Sequence, residues 1–173
     1  MILTTGSEGV ESFNLWSHRI QSVIYPEGDR SRVLEYWTPE KDVMVDDLPL
    51  NYDETTIKTI EQIDVIWLKR RSIVRAFEVE HTTSIYSGSL RMADLMALQP
   101  NINIRAHIVA PIERKDKVLE EIRRPVLTLL EKGPLSNSCN FISYHALKEI
   151  ASQKLLEHMT DSVIDEYVED ASE

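Results

Sequence analysis

"IDVIWLKRRSIVRAFEVE", residues 63–80, decides how the rest of the chain is read. Two apolar runs rich in branched and aromatic residues flank the basic turn Lys69-Arg70-Arg71. Residues 62–69 and 73–82 therefore read as two strands joined by a tight turn. Side chains alternate along a strand, so Glu78 and Glu80 share one face. Carboxylates in a buried strand are costly unless something pairs with them. Val74 and Ala76 are expected on the same face, which argues against a solvated edge. Asp64 is the one acid inside the first strand. If Leu68 pairs with Ile73, Asp64 lies opposite Phe77. If Leu68 pairs with Val74, Asp64 lies opposite Glu78 and all three acids share a face. The second register needs a three-residue loop, Arg70-Arg71-Ser72, which lacks the glycine such loops favour, or a longer loop with a bulge. Parity favours the second register.

Around the hairpin the elements alternate. Val10, Phe13, Trp16, Ile20, Val23 and Ile24 recur at helical spacing, with Ser7 as N-cap and Pro26 and Gly28 as the stop. Residues 32–37 read as a strand, and 39–51 as a polar connection with "DVMV" as a short strand. After the hairpin come a helix over 84–99, with Ile85, Leu90 or Ala93, and Ala97 inward, and a buried strand over 104–111. A charged amphipathic helix follows, interrupted at Pro125. "NFISYHAL" passes from strand to helix, and the last helix runs from Leu147 to Tyr167. Strands joined by a hairpin and then by helical crossovers imply an α/β fold, a mixed sheet with helices on both faces. The 173 residues are expected to form a single domain, 1–173, with an acidic C-terminal helix or tail at about 157–173.

The net charge of −10 argues against a nucleic-acid partner until its distribution is considered. Residues 1–68 carry 5 basic and 13 acidic side chains, whereas 69–132 carry 12 basic and 8 acidic. Residues 157–173 hold seven acids and no Lys or Arg. A local patch decides contact even where the whole chain is acidic. No apolar run approaches the ~18–20 residues of a membrane span, so no membrane partner is expected. The N-terminus lacks the pattern of a secretory signal, and the single Cys139 permits no intrachain disulfide framework. Both point to the cytoplasm.

Three carboxylates within a few Å raise one another's pKa unless a cation sits among them. Mg²⁺, or Mn²⁺ in its place, prefers oxygen ligands and polarises phosphoryl groups. Asp64, Glu78 and Glu80, with the backbone carbonyl of Val79, are its candidate ligands. No Gly-rich phosphate loop or HExxH motif competes for the chemistry.

The pattern "IDV…FEVE", followed by a helix and the strand "HIVAP", resembles the PD-(D/E)XK nuclease superfamily, with its restriction-endonuclease-like fold. Asp64 matches the family's Asp and Glu78 its first acid, and Glu80 stands where the family usually has Lys. The resemblance covers residues 60–125. It implies a metal-dependent DNA endonuclease of restriction, defence or repair type, with Asp64, Glu78 and Glu80 as catalytic residues. Glu80 would hold the metal or orient the attacking water. A homodimer is implied, because one small site cuts one strand. The departure at Glu80 leaves open the alternative of a catalytically inactive DNA-binding or protein-interaction subunit.

Lys69, Arg70, Arg71, Arg75 and Arg91 are the candidate nucleic-acid contacts. Arg91 would either reach the site and supply the missing positive charge or lie exposed on its helix. The secondary candidates are His81, a structural residue or a ligand; Thr82, a helix cap or a phosphate contact; and Glu11, an extra acid from the first helix.

Overall fold

The computed structural model describes residues 52–69, 72–80, 85–152 and 160–170, and the backbone of 23–26. The expected first helix up to residue 22 and the strand over 32–37 lie outside the described residues. So do "DVMV" and the candidates Glu11, Arg70, Arg71, His81 and Thr82. Six strands form one sheet in chain order: β1 (Val23–Pro26), β2 (Val65–Lys69), β3 (Ser72–Val79), β4 (Arg105–Ala110), β5 (Cys139–Ser143) and β6 (Glu169–Asp170). β1–β2, β2–β3 and β5–β6 are antiparallel, while β3–β4 and β4–β5 are parallel. The sheet is thus mixed, as expected of an α/β protein, and is consistent with a restriction-endonuclease-like architecture.

Helices cover both faces. On one side α1 (Glu54–Ile60), α2 (Ile85–Leu98) and α3 (Lys115–Ile122) pack through Ile60, Met92, Leu95, Val118 and Ile122 onto Ile66, Ala76 and Ile108. On the other, α4 (Tyr144–Ala151) and the 3-10 helix Asp161–Glu166 pack through Leu147, Ile150, Val163 and Ile164 onto Val65, Trp67, Phe77 and Val109. The Phe77 ring lies between Trp67 and His107, with both centroids 4.9 Å away. No described helix is long and apolar enough to cross a membrane.

The hairpin combines both registers weighed from the sequence. Leu68 pairs with Ile73 and Lys69 with Ser72, so the loop is only Arg70-Arg71. A bulge between Trp67 and Leu68 then shifts the pairing, so that Trp67 faces Arg75 and Val65 faces Phe77. Continuing that register puts Asp64 opposite Glu78. The extra residue, Val74, packs with the Phe77 side of the sheet and not beside Ala76, correcting the expected face.

Four other expectations change. Val23 and Ile24 were expected to end a helix but lie in β1, paired to β2. Pairing along the β2 edge overrides the helical spacing there, and Pro26 is tolerated on an edge strand. Residues 54–60, read as no element, form α1. The Asp53 side chain accepts hydrogen bonds from the backbone N–H groups of Thr55 and Thr56 at its N-terminus. Ala97 is exposed, because Ile85, Ser89, Met92 and Met96 form the inward stripe of α2. The last helix does not run to Tyr167. α4 ends at Ala151, and 161–166 is a separate 3-10 helix held by tertiary ion pairs.

Candidate active site

The site forms where β3 leaves the sheet. Glu78 is wholly buried, 0% exposed, on the side covered by α2. Arg91, on the second turn of α2, forks onto it. Nε donates to Oε1 at 2.9 Å and Nη2 donates to Oε2. Of the two possibilities open for Arg91, the structure realises the one that brings a positive charge to the acids. Asp64 lies just before β2, and its Oδ2 accepts a hydrogen bond from the Val79 N–H at 2.9 Å. That bond fastens the aspartate to the carboxyl end of the opposite strand. Glu80 continues the parallel ladder by donating its N–H to the Val109 carbonyl at 2.8 Å. The Tyr144 hydroxyl, at the start of α4, donates to the Glu80 carbonyl at 3.3 Å.

Gly88 explains how a helix lies this close to two carboxylates. A Cβ at that position would stand 2.6 Å from Glu80 Oε1 and 3.4 Å from Glu78 Cβ. The displaced atom is the end of a flexible side chain, so Gly88→Ala should fold. It should even gain about 1 kcal/mol of helix propensity. It should nevertheless push the Glu80 carboxylate from its place and, if Glu80 holds a metal ion, weaken Mn²⁺ binding about tenfold or more, which melting curves and metal titration on one preparation would separate. Unchanged metal binding would show that Glu80 does not need its position against α2.

The acids feel one another. The Glu78 carboxyl is pushed up to about 8: burial is the largest cause, the charges of Asp64 and Glu80 add to it, and the Arg91 hydrogen bonds and charge oppose it. Arg91 is raised, first by its hydrogen bond to Glu78 and also by the fields of Asp64 and Glu80. Burial raises the Tyr144 phenol, Glu80 and Asp64 add to the rise, and Arg114 opposes it. These influences place Asp64, Glu78, Glu80, Arg91, Arg114 and Tyr144 in one electrostatic neighbourhood.

No three His, Cys, Asp or Glu side chains among the described residues are grouped closely enough to hold a metal ion. Both Glu78 oxygens are turned to Arg91. The donor set still fits a hard divalent cation, because it is all carboxylate oxygen and the charges of Asp64 and Glu80 raise the Glu78 carboxyl. Mg²⁺ is commonly held by only one or two carboxylates, with water and phosphate oxygens completing its shell. With Glu78 engaged by Arg91, Asp64 and Glu80 are the residues that would hold it.

Arg75 requires a correction. Expected at the surface as a phosphate contact, it is 1% exposed. Its Nε donates to Asp161 at 3.1 Å, and its Nη1 donates to Asp165 at 3.0 Å and contacts His107 Nε2 at 3.1 Å. Strand alternation sets it on the Phe77 side, away from Glu78. Burial and then the Arg75 charge push His107 down to about 3, so its ring is neutral and Nε2 accepts from the guanidinium. Lys69 is exposed at the end of β2. Sequence reasoning passed over Gly88 and Tyr144 as site residues and named Arg114 only as the start of a helix, 114–124, that would carry the basic rim if the hairpin turn did not. Their signal was position: Arg114 and Tyr144 follow the carboxyl ends of β4 and β5, where open α/β sheets place their ligands.

A family model described as the type II restriction enzyme NmeDI C-terminal domain matches residues 32–171. The type II restriction enzyme NmeDI of Neisseria meningitidis serogroup C is 32% identical over 112 residues, covering 64% of this chain. The match spans only 30% of the length of that enzyme. No solved structure matches the chain. With four-fifths of its residues inside the family model, the chain belongs to the family of the type II restriction enzyme NmeDI C-terminal domain.

Proposed function

We propose that the chain carries the hydrolytic centre of a restriction-type endonuclease and cuts DNA phosphodiester bonds with Mg²⁺ or Mn²⁺. The observation that carries this reading is the meeting of Asp64, Glu78 and Glu80 with Arg91 at the carboxyl end of β3. Their order and placement match the acids of the PD-(D/E)XK nucleases, with Glu80 in the lysine's place. Hydrolysis adds water to phosphorus and breaks one P–O ester bond, with a proton leaving the water and another reaching the departing oxygen. Asp64 and Glu80 would hold the ion, beside the Val79 carbonyl. Bound there, it would neutralise phosphoryl charge and polarise the P–O bonds. Glu80 also stands where it can orient the attacking water. Arg91 fixes Glu78 and supplies the positive charge that the absent lysine would bring. A homodimer would set one such site against each strand of the duplex.

Glu80→Lys tests the assignment. It restores the common family pattern but puts a cation among the remaining acids. If Glu80 is a metal ligand, like-charge repulsion weakens the ion. The variant should be inactive and bind Mn²⁺ much more weakly by calorimetry. A fully active variant with wild-type Mn²⁺ affinity would remove Glu80 from the ligand set while leaving Asp64 and Glu78 standing.

One observation favours a second reading. Arg91 occupies both oxygens of Glu78, an arrangement that also suits a catalytically silent subunit that binds DNA or a protein. Such a subunit would bind DNA, or its partner, with no Mn²⁺ uptake at these acids.

A further inference from the structure

The carboxyl ends of the parallel strands β3, β4 and β5 lie side by side, with Val79 beside Val109 and Ala110 beside Ser143. The chain leaving them delivers Glu80, then Arg114 at the end of the 3-10 turn Ile112–Arg114, then Tyr144 at the start of α4. Tyr144 is tied to Glu80 by its hydroxyl, and the Arg114 charge acts on the same phenol as those of Glu80 and Asp64. Arg114 is half-buried. Its Nη1 is buried and has no hydrogen-bond partner among the described residues.

A buried guanidinium N–H without an acceptor is costly, and the planar fork of arginine suits phosphate oxygens. Among the described residues, Arg91 is committed to Glu78, and Arg75, on the other face of the sheet, to Asp161 and Asp165. We propose that Arg114 is a phosphate-binding residue of the site and takes a phosphodiester oxygen of the nucleic acid beside Glu80. This rests on the nuclease reading. It gives the strand end after β4 a role in substrate binding, and it moves the basic rim from the hairpin turn to the segment between β4 and α3.

Binding of a fluorescent DNA duplex, measured by anisotropy across a salt series with Ca²⁺ in place of Mg²⁺, tests the assignment. Arg114→Gln should weaken binding about tenfold or more and lower the log–log salt slope by about 0.9, the amount of one lost phosphate contact. Arg114→Lys should keep the slope, because it keeps the charge. Arg114→Gln should melt at the wild-type temperature, since no described hydrogen bond ends on Nη1. An unchanged slope and affinity in Arg114→Gln would overturn the assignment, as would a fall of several degrees in its melting temperature, which marks a structural role. A wild-type chain that binds no DNA would sink the nuclease reading, and this assignment with it.

Discussion

Asp64→Asn should reduce DNA cleavage by more than about a hundredfold while leaving the chain folded. Groups that only support metal ligands typically cost 10–100-fold when removed, so losing a direct ligand should exceed that. The asparagine oxygen can still accept the Val79 N–H that Asp64 Oδ2 holds at 2.9 Å, so the link between the two strands survives. The substitution also removes one of the charges that push Glu78 up, so the metal-free fold should be as stable as wild type or more so. Thermal melts show whether the role is metal binding. An ion at a hundred times its dissociation constant stabilises the folded state by about 2.7 kcal/mol. That shift should appear in the wild type and be absent from Asp64→Asn. An equal shift in both would exclude Asp64 as a ligand.

The second large effect lies on the other face of the sheet. Removing both acids that hold Arg75, by Asp161→Ala with Asp165→Ala, should destabilise the chain by about 3 kcal/mol. Breaking a buried ion pair from one side typically costs 3–5 kcal/mol, because the remaining charge is left without a counter-ion. The lower end applies here because Asp161 and Asp165 are partly exposed, at 27% and 33%. Arg75→Met should cost less, since the acids it releases can reach water. Acid should imitate part of the double variant. Burial pushes the Asp165 carboxyl up, but hydrogen bonds from Arg75 and Arg105 outweigh it and hold Asp165 below the ordinary value of 3.8. A depressed carboxylate stabilises the fold above its unfolded pKa, and that contribution is lost as pH falls from 3.8 through the lower folded value. Urea denaturation at pH 7 and near pH 3 would measure both effects. An unchanged midpoint for the double variant at pH 7 would show that Arg75 finds other partners.

The elements that could be read from sequence were those whose signal is local. β2, β3, α2 and β4 follow from alternation, helical spacing and Pro100, and they position the acids. Asp64 opposite Glu78 was legible through parity, because a half-buried strand makes register a matter of which face each side chain takes. The device that achieves it was not. A bulge at Val74 depends on how two strands and their cores fit together. Arg75 looked like a surface base because its partners, Asp161 and Asp165, lie 86 and 90 residues away, in a segment whose spacing read as helix. Val23–Pro26 failed for a similar reason: an edge strand is specified by the strand it joins. The purpose of Gly88 appears only once Glu80 Oε1 is seen against it.

The central claim, a metal-dependent centre built on Asp64, Glu78 and Glu80 that hydrolyses DNA, is tested most directly by one cleavage assay. Supercoiled plasmid is incubated at low salt with the wild-type chain or Asp64→Asn, in Mn²⁺ or in EDTA. The account predicts nicked or linear DNA with wild type and Mn²⁺, and intact DNA in EDTA and with Asp64→Asn. Plasmid left intact by the wild type in Mn²⁺, or cut equally well in EDTA or by Asp64→Asn, would contradict it.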